Sequence, residues 1–257
     1  MKAFTETVKS LIGYTLSREQ CSKLKIFEDE LIKWNEHISL TAIRDVDGVR
    51  TKHFLDSLTV LLAWERHNPP ERVIDVGTGA GFPGLVLKLI WPGSKVTLVE
   101  SVHKKADFCS HIVDLLELDE VEVLAERAED VGQDAAHRQA YDLAVARAVA
   151  RMPILMEYLL PLVHRNGVVM AMKGESAPAE AQSADRAIHL WGENFTGWSK
   201  SNCPVSSRNG LLWWSKRLPE RLRTIPERQV RLQKIPFSEI SCNRLDCSKL
   251  IRQWLNN

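Results

Sequence analysis

The sequence predicts an α/β fold, a mostly parallel, doubly wound Rossmann-like sheet preceded by an N-terminal helical region. Three observations predict it. Residues 1–66 carry apolar positions at helical spacing behind a capping signal. From Arg72 onward, short apolar runs alternate with helical stretches, as buried parallel strands and their crossover helices do. A glycine-rich turn joins the first such strand to the first such helix, where doubly wound sheets bind ligands.

Ser17-Arg-Glu-Gln20 has the form of a capping box, with Ser17 as N-cap and Gln20 reaching back. Behind it Leu24, Phe27, Leu31, Trp34 and Ile38 recur at steps of three and four, one face of a long helix. A second helix is expected over Thr51–Trp64, with Leu55, Leu58, Leu61 and Leu62 as its apolar positions. Asn68-Pro-Pro70 breaks the chain and marks the boundary to a second region, 70–190. There, Arg72–Val76, Lys95–Glu100, Val121–Ala125, Tyr141–Ala146 and Gly167–Met172 are expected as strands. Pro83–Ile90, Lys104–Leu118, Pro153–Val163 and Pro178–Leu190 are expected as helices.

Bulk composition narrows the class. The 257 residues are 44% hydrophobic and 26% charged, as ordinary globular proteins are, and can bury a full core. No apolar run approaches the roughly 18 residues of a membrane span. The first residues carry an early acid and no apolar block, so no secretory signal is expected. Five cysteines without CxxC spacing point to reduced thiols and a cytoplasmic location. A net charge of +1 gives no global attraction to nucleic acid, so any RNA contact must be a local patch. No metal site is expected.

The chemistry is concentrated in Asp75-Val-Gly77-Thr-Gly79-Ala-Gly81-Phe-Pro83-Gly84. Glycines here let the backbone take positive φ and approach a ligand, and the following helix begins with free amides. Glu100, ending the next strand, is placed to accept both hydroxyls of a ribose. The same residues satisfy GxGxxG, so a dinucleotide is a rival ligand. Asp75 favours the other reading, S-adenosyl-L-methionine, because a carboxylate suits the amino group of a methionine moiety and sits badly beside a pyrophosphate. Lys52, His53 and Asp56 fall within one helical turn and share a face. That face points to cofactor or RNA, with Lys52 and His53 near phosphate, or it is an ordinary surface cluster.

Further segments follow in order: Trp34–Thr41, Lys52–Ser57, Arg127-Ala-Glu129, Arg147-Ala-Val-Ala150 and Lys173-Gly174. Together with the glycine turn they resemble the glucose-inhibited division protein B family, over residues 20 to 190. The resemblance implies a class I S-adenosylmethionine-dependent methyltransferase fold and methylation of guanine N7 in 16S rRNA. It places cofactor contacts on Gly77, Phe82, Ala128, Glu129 and Arg147, beside Asp75, Gly79, Gly81 and Glu100. It puts Lys52, His53, Asp56 and Lys173 near the substrate and implies a monomer acting on the small subunit away from membranes. Because guanine N7 carries a lone pair and no proton, no acid or base is expected to be essential, and catalysis is expected to be mainly by proximity. Lys52 stands where the family usually has arginine, and Ser39 where it has asparagine.

Residues 191–257 do not follow the family pattern, which ends in an antiparallel strand pair and a basic segment. This tail holds five of the eight tryptophans and three of the five cysteines. Cys242 and Cys247 have no partnered Cys/His pair that would make a zinc site. Tryptophan has a single codon, so Trp213-Trp214-Ser215 with a TCN serine reads Val-Val in a shifted frame, as the family's last strand would. The expectation is a frameshift beginning near Trp191–Phe195, and a sheet whose terminal strand pair is missing and whose fifth strand is an unprotected edge.

Overall fold

The N-terminal helices form where caps and apolar spacing demand them. Helix α1 (Lys2–Ile12) buries Phe4 and Val8 and stops at Gly13, whose φ of 79° closes the helix in the left-handed region. Helix α2 (Arg18–Asn35) opens on the expected capping box: Ser17 Oγ accepts from the Gln20 amide at 3.1 Å and Gln20 Oε1 accepts from the Ser17 amide at 2.8 Å. Leu24, Phe27 and Leu31 are buried along it, but Ile38 lies beyond its end. Asn35 ends the helix by turning the chain back: its side chain accepts from the amides of Leu40 and Thr41 and donates to the carbonyls of Thr41 and Ile43.

The structure, a computed structural model, describes residues 1–64 and 68–173, and the backbone of 194–200 and 211–216. Met1–Pro219 cluster as one compact unit. The helix expected over Pro178–Leu190, Gly174, most of the tail and its cysteines lie outside the described residues.

The single helix expected over Thr51–Trp64 is instead four short pieces starting earlier. These are α3 (Val46–Val49), capped by Asp45, then a π-helical segment (Arg50–Leu55), α4 (Asp56–Leu58) and α5 (Val60–Ala63). Ser57 and Thr59 hydroxyls bond back to the carbonyls of His53 and Asp56, competing with the regular ladder. The wider π turn rotates the later residues, so Phe54, Leu55, Leu58 and Val60 are buried while Leu62 is 47% exposed.

The strands follow their apolar runs: β1 (Arg72–Val76), β2 (Lys95–Val99), β3 (Val121–Leu124), β4 (Tyr141–Arg147) and β5 (Val163–Lys173). Between them run α6 (Gly84–Ile90), α7 (His103–Leu115), α8 (Ala128–Val131) and α9 (Met152–Leu159). Val163, expected as a helix end, begins β5 because it pairs with Tyr141. These five strands are parallel in the order β3-β2-β1-β4-β5. The order reverses between β1 and β4, so a crevice opens beyond their carboxyl ends.

Two strands continue the sheet: β6 (Asn194–Lys200) and β7 (Leu211–Lys216), giving β3-β2-β1-β4-β5-β7-β6 among the described residues. The expectation of a missing terminal pair is therefore corrected. Strand β7 runs antiparallel to β5, Met170 opposite Trp214, and covers the edge that was expected to be open. A ladder is made by backbone groups, so strands can form without alternating side chains, and Leu-Leu-Trp-Trp supplies an apolar, aromatic-rich run compatible with one.

The N-terminal helices share the core of the sheet. Phe4, Phe27 and Phe54 belong to one buried cluster with Phe82, Leu98, Phe108, Leu143 and Met170. Phe27 stacks on Phe82 with ring centroids 5.0 Å apart. A second cluster, including Ile74, Tyr141, Met152, Leu155 and Val169, covers the opposite face.

Candidate functional site

At the carboxyl end of β1 the chain folds into a tight turn over β2. The amides of Gly77 and Thr78 both donate to the Val99 carbonyl, at 2.8 and 3.0 Å. Gly77, Gly79 and Gly81 have φ of 68°, 62° and 89°, the left-handed region that glycine reaches without strain. A Cβ on Gly77 would lie 2.5 Å from Val149 Cγ2, in the loop after β4. A Cβ on Gly79 would meet no protein atom within 4 Å among the described residues. Backbone there is open to a ligand's approach.

Asp75 is wholly buried beneath this turn. Its Oδ2 accepts from the Thr78 hydroxyl at 2.6 Å and the Gly84 amide at 2.7 Å. Its Oδ1 is, among the described residues, a buried side-chain oxygen with no hydrogen-bond partner. Burial pushes the carboxyl up to about 6, against the Thr78 and Gly84 hydrogen bonds that favour the charged form. An oxygen left so is set to accept from a ligand donor. Glu100, at the end of β2, is held by two backbone amides: Gly79 donates to Oε2 at 2.9 Å and Val102 to Oε1 at 2.8 Å. Each carboxylate oxygen keeps a further lone pair for a hydroxyl.

Ala128 and Glu129 begin α8, past the end of β3. Glu129 is exposed, and Tyr158 donates its hydroxyl to Glu129 Oε1 at 2.9 Å. Its own backbone amide and Tyr158 hold its carboxyl below the usual range. Ala128 packs against the buried cluster that contains Val76 and Val99, and among the described residues neither it nor Glu129 hydrogen-bonds to the glycine turn.

Arg147, last residue of β4, is drawn toward the N-terminal region. Nη1 donates to Asp56 Oδ2 and to the Lys52 carbonyl, each at 2.9 Å, and Nη2 reaches His53 Nδ1 at 3.1 Å. Its guanidinium lies 5.4 Å from the Phe82 ring centroid. The His53 ring stacks on the other neighbour of that cluster, Phe82, at 4.6 Å and 13°. Burial, then the Arg147 charge, lowers His53 to about 4, so the ring is neutral. Phe82 is 3% exposed and its ring is taken up by His53 and Phe27, leaving little of the side chain for a ligand. Lys52 has an exposed side chain, and Lys173 donates its ammonium to the Ala150 carbonyl just past Arg147. The structure thus joins Gly79 with Glu100, and Arg147 with Lys52, His53, Asp56 and Phe82.

The orphaned Asp75 oxygen, the open approach at Gly79 and the Glu100 carboxylate together fit an amino-acid-bearing nucleoside, as S-adenosyl-L-methionine is. Residues 20–201 match the GidB family, described as rRNA small subunit methyltransferase G. The chain belongs to the GidB family. The match extends through β6, further than the segment whose motifs were legible. The ribosomal RNA small subunit methyltransferase G of Chloroflexus aggregans is 41% identical over 207 residues, 80% of this chain and 86% of that one. Its counterpart in Roseiflexus sp. is 46% identical over 180 residues, 70% and 76% of the two chains. Among solved structures, a SAM-dependent methyltransferase from Aquifex aeolicus superposes with a TM-score of 0.50 at 17% identity, over 63% of this chain and 90% of that one. A SAM-dependent O-methyltransferase from Thermotoga maritima also gives 0.50, at 14% identity, over 65% and 66%. The fold of this GidB chain is the Rossmann-like class I methyltransferase fold.

Several residues that shape the GidB site were not singled out from sequence: Thr41 and Asn35 behind His53, Val149 against Gly77, and Tyr158 on Glu129. Asn35 and Thr41 lie inside Trp34–Thr41 and Val149 inside Arg147–Ala150, segments whose order in the chain was the available signal. Val149 makes a test of the turn. Gly77→Ala would place an L-residue at positive φ, costing about 1 kcal/mol, and would push Val149 and its loop aside. S-adenosylmethionine affinity measured by calorimetry is expected to fall about tenfold or more; unchanged affinity would mean that this loop does not bear on the cofactor.

Proposed function

We propose that this chain methylates N7 of a guanosine in 16S rRNA of the small ribosomal subunit, acting as a cytoplasmic monomer with S-adenosyl-L-methionine as its cofactor. The observation that carries the reading is the buried, unpartnered Oδ1 of Asp75 under a glycine turn in a chain of the GidB family. Asp75 would accept from the cofactor's ammonium and Glu100 from its ribose hydroxyls. Gly77, Gly79 and Gly81 would bring backbone close to it, with Ala128 and Glu129 beside the adenine. Arg147 would lie beside the methyl group. Among the described residues no helix is long and apolar enough to cross a membrane.

When bound, the cofactor supplies an electrophilic methyl on sulfur. Guanine N7 carries an in-plane lone pair and no proton, so no side chain has to remove one. The work left to the protein is alignment and exclusion of water, which can account for a large part of a barrier. Lys52 and Lys173 stand near the Arg147 cluster as candidates for contact with the RNA, Lys52 as a point charge where the family has a bidentate arginine. For residues 191–257 we keep the proposal of a frameshift beginning near Trp191–Phe195, which resequencing the gene decides.

The test is incubation of the full chain and cofactor with small subunits from a strain lacking its own family member, followed by mass mapping of the rRNA. One new N7-methylguanosine is expected. Methyl transfer to a small molecule or protein, with the rRNA unchanged, would overturn the reading.

A further inference from the structure

The imidazole of His53 lies between a group that only donates and one that can accept. A guanidinium has no acceptor, so the 3.1 Å contact from Arg147 Nη2 requires a lone pair on Nδ1. The neutral ring then carries its proton on Nε2, which lies 2.8 Å from Thr41 Oγ1. That oxygen also accepts from the Ile43 amide at 3.2 Å. Thr41 is itself fixed from both sides of its backbone by the Asn35 amide group, at 3.0 Å to its N–H and 2.9 Å to its carbonyl. A continuous relay therefore runs from Asn35 through Thr41 and His53 to Arg147. It joins the two N-terminal motifs to the end of β4.

The other two holds on Arg147 come from the same short segment. Asp56 Oδ2 and the Lys52 carbonyl accept from Nη1; Lys52 lies with His53 in the π-helical stretch Arg50–Leu55, and Asp56 follows it directly at the start of α4. Such stretches interrupt the regular ladder and recur at functional sites. Past Arg147 the chain turns sharply, with Ala148 at φ 57°, and sets Val149 against Gly77. Where the guanidinium sits thus decides where this loop meets the glycine turn. The ring of His53 is only 9% exposed and is stacked on Phe82, so it is placed to hold Arg147 rather than to meet an RNA phosphate.

The geometry points to His53 as a positioning residue for methyl transfer: through Arg147 it holds the loop after β4 against the glycine turn. This rests on the reading above that Arg147 lies beside the methyl group.

The experiment is a double-mutant cycle on the full chain, with His53→Phe, His53→Asn, Arg147→Met and the His53→Phe/Arg147→Met pair. Phenylalanine keeps the stack on Phe82 and loses both ring nitrogens; asparagine restores an acceptor near the position of Nδ1. Turnover is read on small subunits as kcat and KM, and cofactor affinity by calorimetry. His53→Phe is expected to lower kcat at least about 30-fold with KM for rRNA little changed, because small misplacements of reacting groups cost that much. His53→Asn should recover most of it, and His53→Phe should cost nothing further once Arg147 is methionine. Full independent losses in the double variant, an asparagine variant as poor as phenylalanine, or a fall in melting temperature with kcat intact would each overturn the role. If the wild-type chain makes no N7-methylguanosine, the functional reading fails by itself. The same cycle scored on cofactor affinity then decides the role: coupling between His53 and Arg147 supports it, and additivity overturns it.

Discussion

Replacing Asp75 with asparagine is expected to weaken S-adenosylmethionine binding by about 10- to 100-fold, the range for losing one charge-assisted hydrogen bond in a dry site. Asparagine can still accept from Thr78 and Gly84 with its oxygen, so the turn should keep its shape. Its amide then takes the place of the buried, unpartnered Oδ1, and offers a donor to an ammonium that needs an acceptor. The loss is therefore one of complementarity rather than of folding.

The pH dependence of the wild-type chain carries the same information. Without cofactor, burial holds Asp75 at about 6, so below that value the carboxyl is increasingly protonated and cannot accept an ammonium's charge. Bound cofactor would lower the value. Affinity should thus be full above pH 6 and fall by up to about tenfold per pH unit below it. The sign for stability is the opposite. A carboxyl raised above its unfolded value contributes stability that is present below pH 3.8 and lost as pH rises through about 6. His53 acts the other way: lowered from 6.5 to about 4, it contributes stability present above 6.5 and lost as pH falls toward 4. The two offset each other between about 4 and 6 in the wild type, and Asp75→Asn should leave the acid sensitivity of His53 exposed. Calorimetry from about pH 5 to about pH 8 checks the first claim, and thermal melts over the same range check the second. A flat affinity profile would remove Asp75 from the cofactor's ammonium.

The second large effect is on stability. Glu28, on α2, is completely buried and is gripped by Arg50 at two points, Nε to Oε2 at 2.6 Å and Nη2 to Oε1 at 2.9 Å. Lys25 lies 3.4 Å from Oε1 but is itself half-exposed. Arg50→Met would leave a carboxylate in the core with only that weak partner, and breaking such a pair costs about 3–5 kcal/mol. For a chain of this size the melting temperature should drop by about 6–20 °C. Because Arg50 opens the π-helical segment that carries Lys52 and His53 and leads into Asp56, activity should fall as well. Removing both charges together, Glu28→Met with Arg50→Met, should recover much of the stability, since an apolar pair of similar volume has no ions to desolvate. A single variant as stable as the parent would show that the pair contributes nothing.

Much of this molecule could be read residue by residue because the physics involved is local. A serine three residues before a glutamine caps a helix wherever the chain goes next, and the Ser17–Gln20 box formed as expected. Strands β1, β2 and β4 and the later half of β5 bury both faces, so their apolar runs announced them, while β3 at the sheet's edge is only partly buried. The positive-φ glycines of the turn were legible as backbone that a ligand can approach, and Glu100, the acid after β2, as the group we propose for the ribose. Motif order carried the family.

Other features depend on partners far away along the chain, and only the tertiary structure decided them. Lys52, His53 and Asp56 read as a face of a regular helix; in the fold Lys52 and His53 lie in a π-helical stretch, and the three residues meet Arg147, more than ninety positions on, with the imidazole turned inward and stacked. Nothing in the sequence singles out Glu28 and Arg50, twenty-two positions apart; the fold buries Glu28 against Arg50. Strands β6 and β7 had no legible side-chain period, and the open hydrogen-bonding edge of β5 is what they complete. Caps and parallel strands are written in neighbouring residues, whereas a buried charge, a tautomer or a covered edge exists only once the chain has brought its partner to it.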